Sequence, residues 1–474
     1  MNRLLKISGF LFLILPLLSA QGDEQAGVTS PQKLAEKLNQ IMEGFPSTAV
    51  SSVMVSDADT GKVIYQKQPY QNVMPASTQK ILTAIADYAV LGPTFRYSTR
   101  LLSREPADTS GAIKGGVQIV FSGDPSLTRG DVKALIQGLA RQGIKSIDGT
   151  IWLNGSIYGG YAHAEGVGWD DLKICFAAPS TAMVLDKNCF RARLQPADKV
   201  GEKPTISYAQ PDWPFRLEND VRTVSANEQA HQPKSWESIY AQYRLTGFIA
   251  KGSEPLNMAF AVKQPEQAVK AFIDSSLKQA GIIHHGKTVI GKPAIVFHHE
   301  LVEHKSKPLA DLLVFMLKTS NNLYADNMLK TLGHKKSQQP GDYENGVKAL
   351  MQSLKALGVD LGSSHLQDGS GLSRYNLLSA STLNSALLIA WKKWGREMPW
   401  LKGKQQDYWL KTGKMKDIRG LAGYAFPKGA PPKIFVVLLN GLAPSDDSSS
   451  KDTQRFWQLM KAQEQAFIQT LINK

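Results

Sequence analysis

Three short motifs in this chain combine residue types that can perform acyl transfer. Ser77-Thr78-Gln79-Lys80 opens a strongly apolar helical segment, residues 78–91, directly after Pro75-Ala76. Positions three apart share a helix face, so an amine at Lys80 can reach the hydroxyl of Ser77 and accept its proton. The first turn of a helix also leaves backbone N–H groups unpaired, and that of Ser77 can face a developing oxyanion. Spacing alone selects little, because Ser30–Lys33, Ser275–Lys278 and Ser448–Lys451 repeat it. Each of those reads as a helix cap or a solvent pair. The segment after Ser77 is too apolar for a surface element, which places Lys80 beside a buried seam where desolvation lowers an amine towards the range of a useful base.

Such a site also needs a second hydroxyl to pass the proton on, an amide to hold the substrate, and a cation to grip a carboxylate. Ser320-Asn321-Asn322 supplies the first two from a break between helices expected at 308–317 and 323–332. Lys411-Thr412-Gly413 supplies the third, at the end of a strand-like stretch over 407–410. Ser225-Ala226-Asn227 repeats the Ser-x-Asn pattern, whereas Lys-Thr-Gly occurs once. Taken singly, Ser320 and Asn322 also suit helix capping, and Lys411 and Gly413 suit an exposed strand and its turn or bulge. All three motifs in this order are much harder to obtain by accident.

The elements that must position these groups come from both ends of the chain. Pro31 starts a helix whose buried stripe is Leu34, Leu38, Ile41 and Met42, with Ser30 as cap. Strands at 50–55 and 62–66 flank the turn Asp57-Ala58-Asp59-Thr60-Gly61. Gly92-Pro93 stops the apolar helix. Near the far end, residues 433–439 read as a fully buried strand and 455–472 as an amphipathic helix. One α/β domain assembled from residues 21–93 and 285–474 is expected, interrupted by an insertion at 94–284. The insertion mixes strand-like runs (117–121, 150–153, 259–262) with helices at 131–142 and 265–280, giving one or two small α+β domains rather than a solenoid.

Composition limits the class of protein. The 474 residues are 42% hydrophobic and 20% charged, which suits a multidomain globular chain and excludes a disordered one. Residues 1–20 read as a secretory leader, with Arg3 and Lys6 ahead of an apolar core and Ser19-Ala20 at the exit, cleaved after Ala20; an uncleaved anchor is the alternative. No later run approaches the roughly 20 apolar residues of a membrane span, which excludes a transmembrane segment after leader removal and leaves peripheral contact with the envelope open. The formal charge of +14 suits an anionic neighbourhood such as cell-wall polymer or carboxylate substrates, or simply a solvated surface. Nucleic acid is excluded as a partner because the basic residues are scattered and the chain is exported. Cys175 and Cys189 are the two cysteines, outside any metal-ligand cluster. They are expected to pair in an oxidising compartment, contributing roughly 3 kcal/mol, with two reduced buried thiols as the alternative.

With these motifs in place, the sequence resembles the penicillin-recognising serine enzymes, whose Ser-x-x-Lys, Ser-x-Asn and Lys-Thr-Gly motifs line one cleft between an all-helical half and a sheet half. Ser77 and Ser320 are separated by far more chain than in a compact β-lactamase-like domain. That layout is similar to the class C low-molecular-mass penicillin-binding proteins, the D-alanyl-D-alanine carboxypeptidase/endopeptidase family of penicillin-binding protein 4 type. Local matches are Leu91-Gly-Pro-Thr-Phe-Arg96, Gly123-Asp-Pro-Ser-Leu127, Ile147-Asp-Gly149, Cys175-Phe176-Ala-Ala-Pro179 and Asp368-Gly-Ser-Gly-Leu-Ser-Arg374.

The resemblance implies an α/β (α+β) fold: a β-lactamase/transpeptidase-like domain, antiparallel sheet plus all-helical half, with two small inserted domains. It implies a periplasmic serine peptidase acting on peptidoglycan stem peptides through an acyl-enzyme, inhibited by β-lactams, with no metal or organic cofactor, and it leaves the oligomeric state open. Ser77 is then nucleophile, Lys80 base, Ser320 relay and Asn322 substrate holder, while Lys411 and Thr412 bind the terminal carboxylate. The backbone N–H of Lys414, following Gly413, joins that of Ser77 as oxyanion donor. Asp171, Phe176 and Arg374 match the residues that receive the side arm of the stem peptide's diamino acid, Arg because its planar fork grips a carboxylate at two points. The sequence departs from the family at Lys414 and Lys416, where small hydroxyl and neutral polar residues are usual, and in the short connection between Arg374 and Lys411. The alternatives are a catalytically impaired wall-binding scaffold of the same fold, pointed to by that connection, and a β-lactamase, for which no separate deacylating Glu is evident.

Overall fold

The computed structural model describes residues 31–210, 216–226, 233–237, 243–402, 407–444 and 448–473. The leader expected at 1–20 and the cap expected at Ser30 lie outside the described residues. A five-stranded antiparallel sheet runs in the order Tyr408–Met415, Ile418–Ala425, Lys433–Asn440, Val50–Asp57, Val63–Lys67. The strand Val50–Asp57 pairs with Lys433–Asn440 in continuous register from Val50 opposite Asn440 to Asp57 opposite Lys433. The two ends of the chain therefore build one sheet.

The apolar run at 433–439 follows from burial on both faces of that sheet. Side chains alternate across a strand, so Ile434, Val436 and Leu438 enter one core while Phe435, Val437 and Leu439 enter another. Each such burial contributes about 1.5–3 kcal/mol. On one side, helices Pro31–Glu43 and Ser450–Ile472 lay Leu34, Leu38, Met42, Phe467 and Leu471 against the sheet. On the other, helices Lys80–Val90, Leu309–Thr319, Asn322–Ser337, Tyr343–Ala356 and Ala380–Trp394 form the all-helical half. The C-terminal helix begins five residues before the position its periodicity predicts, with Ser449 capping it through Asp452 N–H.

Between the halves the chain leaves for a separate core. A mixed sheet runs Thr288–Ile290, Ile151–Asn154, Val117–Phe121, Ser98–Ser103, His299–Lys305, and a three-stranded parallel sheet lies beside it. Two more three-stranded sheets lie within residues 189–261, and helices Arg129–Arg141 and Pro265–Gln279 share their apolar core. Thr288–Ile290 pairs with Ile151–Asn154, and His299–Lys305 pairs with Ser98–Ser103. Among the described residues no helix is long and apolar enough to cross a membrane.

Candidate active site

Ser77 lies in a single 3-10 turn, Ala76–Gln79, that leads directly into the helix Lys80–Val90. Ala76 adopts a left-handed conformation (φ 47°), which costs a non-glycine residue about 1–3 kcal/mol and persists only where the surroundings enforce it. The enforcing contacts are close. A Cβ at Gly371 would collide with the Ala76 carbonyl, and one at Gly413 would lie 2.8 Å from Pro75 O and 3.2 Å from Ser77 N. The glycine of Lys-Thr-Gly is there because the sheet's edge strand passes against the backbone of Ser77. That strand, Tyr408–Met415, continues through the motif, so Lys411-Thr412-Gly413 sits mid-strand rather than at a strand end.

The break that carries Ser-x-Asn is also strained. Ser320 ends the helix Leu309–Thr319 in the left-handed region (φ 54°), and Asn321 caps the next helix by accepting from Tyr324 N–H at 3.0 Å. Capping thus falls to Asn321, and the side chains of Ser320 and Asn322 turn to other partners. Lys411 Nζ donates to Ser320 Oγ at 2.9 Å and to the Thr412 carbonyl at 2.7 Å. Lys80 Nζ donates to Ser77 Oγ at 2.8 Å, to Asn322 Oδ1 at 2.5 Å and to the Ser370 carbonyl at 2.6 Å. Asn322 Nδ2 is held by the Phe176 carbonyl at 2.8 Å.

Lys80 is fully buried, whereas Ser77 is partly open to solvent. Burial lowers the Lys80 ammonium to about 7, with Lys411 pushing the same way and Asp326 and Asp368 opposing. Burial also lowers Lys411, to about 8. Two amines in one cluster are therefore poised differently: near neutrality the first can be a free base while the second keeps its charge.

The rim groups are placed as follows. Cys175 and Cys189 form a disulfide with Cα atoms 5.3 Å apart, tying the turn Cys175–Ala177 to the strand Cys189–Gln195 and so anchoring Phe176 beside Asn322. Phe176 is 45% exposed, and Thr412, Lys414 and Arg374 are exposed. Arg374 N–H donates to the Gly166 carbonyl at 2.9 Å. Burial and neighbouring Asp170 raise the Asp171 carboxyl, while the charges of Arg374 and Lys173 pull it back. Asp171 and Arg374 are thus within electrostatic reach of each other at the mouth.

Sequence reasoning missed the support beneath the cleft. Asp368 is fully buried and accepts from the backbone N–H of Gly371 and of Ser373, both at 2.7 Å, from Asn376 Nδ2 at 3.0 Å and from Gln79 Nε2 at 3.1 Å. It shapes the loop 368–374 so that the Ser370 carbonyl faces Lys80. A buried acid followed by two glycines is the available signal for such a loop. Among the described residues, no group of three or more His, Cys, Asp or Glu side chains is placed to hold a metal ion.

Comparison with known proteins agrees with this geometry. The sequence profile of the D-Ala-D-Ala carboxypeptidase 3 (S13) family matches residues 34–463. The chain is 31% identical over 433 residues to the D-alanyl-D-alanine carboxypeptidase DacB of Haemophilus influenzae, covering 86% of this chain and 89% of that protein. It is 25% identical over 446 residues to the D-alanyl-D-alanine carboxypeptidase of Actinomadura sp. strain R39, covering 86% and 81%. The crystal structure of penicillin binding protein 4 from Haemophilus influenzae superposes with a TM-score of 0.79 at 27% identity, covering 91% of this chain and 99% of that one.

Proposed function

Because the chain belongs to the D-Ala-D-Ala carboxypeptidase 3 (S13) family, we propose that it is a periplasmic serine D-Ala-D-Ala carboxypeptidase and endopeptidase, with Ser77 as nucleophile. Ser77 Oγ attacks the carbonyl of a D-Ala-D-Ala or D-amino-acid cross-link bond and its proton passes to the neutral Lys80 amine. The backbone N–H groups of Ser77 and Lys414 stabilise the oxyanion. The tetrahedral species collapses, the C–N bond breaks, and Ser320 relays a proton to the leaving amine. Water then hydrolyses the acyl-enzyme and returns the serine.

The substrate is held along the edge strand Tyr408–Met415, where an extended peptide can add to the sheet. Lys411 and Thr412 hold its terminal carboxylate, and Asn322 orients its backbone. Asp171, Phe176 and Arg374 receive the zwitterionic end of the diamino-acid side arm, Arg374 taking the carboxylate and Asp171 the ammonium. A β-lactam enters by the same attack. Its leaving group remains tethered and blocks the hydrolytic water, so the adduct persists.

The observation that carries this reading is the buried Lys80 amine 2.8 Å from Ser77 Oγ. Labelling with fluorescent penicillin tests it. The peptidase gives a lasting adduct that disappears in Ser77→Ala, a β-lactamase gives rapid loss of label, and a silent scaffold gives none. Release of D-alanine from stem pentapeptide, against cleavage of purified cross-linked wall fragments, divides carboxypeptidase from endopeptidase action.

A further inference from the structure

The helix that presents Asn322 continues as a polar stripe beneath the nucleophile. Asn322, Asp326 and Lys330 recur at four-residue intervals on the helix Asn322–Ser337, and this spacing stacks them on one face. Asp326 and Lys330 are both buried. The acyl-transfer steps above use neither.

Asp326 grips the loop that holds the base. Its Oδ1 accepts the Gly369 N–H at 3.1 Å, and the Ser370 side chain also hydrogen-bonds its carboxylate. The next carbonyl in that loop, Ser370 O, is the one that accepts from Lys80 Nζ at 2.6 Å. Thr83, one turn beyond Lys80, donates to the Gly369 carbonyl at 2.6 Å. The backbone of 369–370 is therefore wedged between the two helices that carry Lys80 and Asn322, with Asp326 as its anchor on one side. Gly369 permits the wedge, since a Cβ there would lie 3.0 Å from Leu329 Cβ and 3.1 Å from the Ala325 carbonyl carbon.

The charges around this anchor come from every neighbouring element. Lys330 lies on its own helix, Asp368 on the loop and Lys80 on the facing helix, and Lys411 approaches Lys80 from the edge strand. Tyr343 reaches Asp326 from the adjacent helix, and Asp342 and Glu266 offset Lys330. Burial raises the Asp326 carboxyl, Asp368 adds to this, and Lys80 opposes it. The Asp326 carboxyl is pushed up to about 8, so it ionises over the same pH range as Lys80, and its ionised fraction favours the ammonium form of Lys80 against the repulsion from Lys411.

We propose that Asp326 is a positioning residue for the base: it fixes the Gly369–Ser370 backbone that aims the Lys80 amine at Ser77, and its carboxylate balances Lys411 across the buried cluster. The inference rests on Ser77 and Lys80 being nucleophile and base. Asp326→Asn keeps the shape and removes the charge. Lys80 then loses a group that favours its protonated form, so the acid limb of the acylation profile moves to lower pH, and the plateau rate falls about tenfold as the aim loosens.

The test measures acylation by fluorescent penicillin against pH for the wild-type protein, Asp326→Asn, Asp326→Glu and Ser370→Ala, with thermal melts to establish folding. Asp326→Glu restores the charge and returns the limb to its wild-type position. Ser370→Ala removes one hydrogen bond from Asp326, leaves the carbonyl in place and moves the limb in the same direction by a smaller step, which keeps the idea exposed even where Asp326→Asn does not fold. An unmoved limb in folded Asp326→Asn or Ser370→Ala overturns the proposal, as does an Asp326→Glu limb displaced as far as that of Asp326→Asn. Ser77→Ala runs in parallel. Persistent labelling there defeats the nucleophile assignment, whereas loss of label there with unmoved limbs elsewhere defeats the role of Asp326 alone.

Discussion

Ser77–Lys80 and Ser275–Lys278 are the same four-residue pattern, each on or at the start of a helix, and they differ in almost everything that matters for chemistry. Lys80 is fully buried and its amine is fixed by Ser77, Asn322 and the Ser370 carbonyl. Lys278 is exposed on the helix Pro265–Gln279, and Ser275 accepts from Gln279 at 3.2 Å. Lys451, in the pattern that opens the C-terminal helix, is exposed as well. Spacing brings a hydroxyl and an amine within reach of each other. Burial is what lowers the amine towards the range of a useful base.

The largest expected effect separates the two serines. Ser77→Ala is expected to lower the rate of penicillin acylation by about a thousandfold or more, because the attacking oxygen is gone. Ser275→Ala should leave the rate at its wild-type value. Stopped-flow labelling of both variants checks this contrast. The two lysines come next: Lys80→Met is expected to cost roughly 10²–10⁴ in the same rate, the usual contribution of a positioned base. Lys278→Met should cost nothing measurable, and a comparable loss there would show that burial is not the discriminating property.

Gly413→Ala probes the fit between edge strand and nucleophile. Its Cβ would press on Pro75 O and Ser77 N, with overpacking of about 1–3 kcal/mol, so a fall of roughly tenfold or more in acylation is expected together with a lower melting temperature. The smallest effect per step is that of pH. In the proposed mechanism Lys80 acts without its proton, so acylation should rise as pH passes upward through about 7. In the same mechanism Lys411 acts with its proton, so binding of the carboxylate should weaken as pH passes upward through about 8. The product is a bell with about a tenfold change per pH unit on each limb, and the two limbs describe the coupled cluster as a whole. Lys278→Met should leave both limbs where they are.

Much of the catalytic half is legible from sequence because its elements are buried in simple patterns. The run at 433–439 is apolar at every position because it faces a core on each side, and the stripe Leu34, Leu38, Met42 marks a helix with one covered face. The three motifs are legible because their residue types and order are unusual in combination. The partners of Thr288–Ile290 and His299–Lys305 are not, since the pairing of these strands is decided by distant segments. Asp326 carries no local sign of its role, and Asp368 is marked only by the glycines that follow it. One sits in the middle of a helix and the other before a glycine loop, and only tertiary contact brings both beneath Lys80. The position of Lys-Thr-Gly within its strand rather than at the end has a similar origin, because Ile418–Ala425 continues the pairing through the motif.

The central claim is that Ser77 forms the covalent bond, and mass-spectrometric mapping of the protein after brief exposure to penicillin tests it most directly. The account predicts a single adduct on the peptide that contains Ser77, lasting through digestion at mildly acidic pH. An adduct confined to another serine, such as Ser320 or Ser275, or a protein that hydrolyses stem peptide while Ser77 stays unmodified, would contradict it.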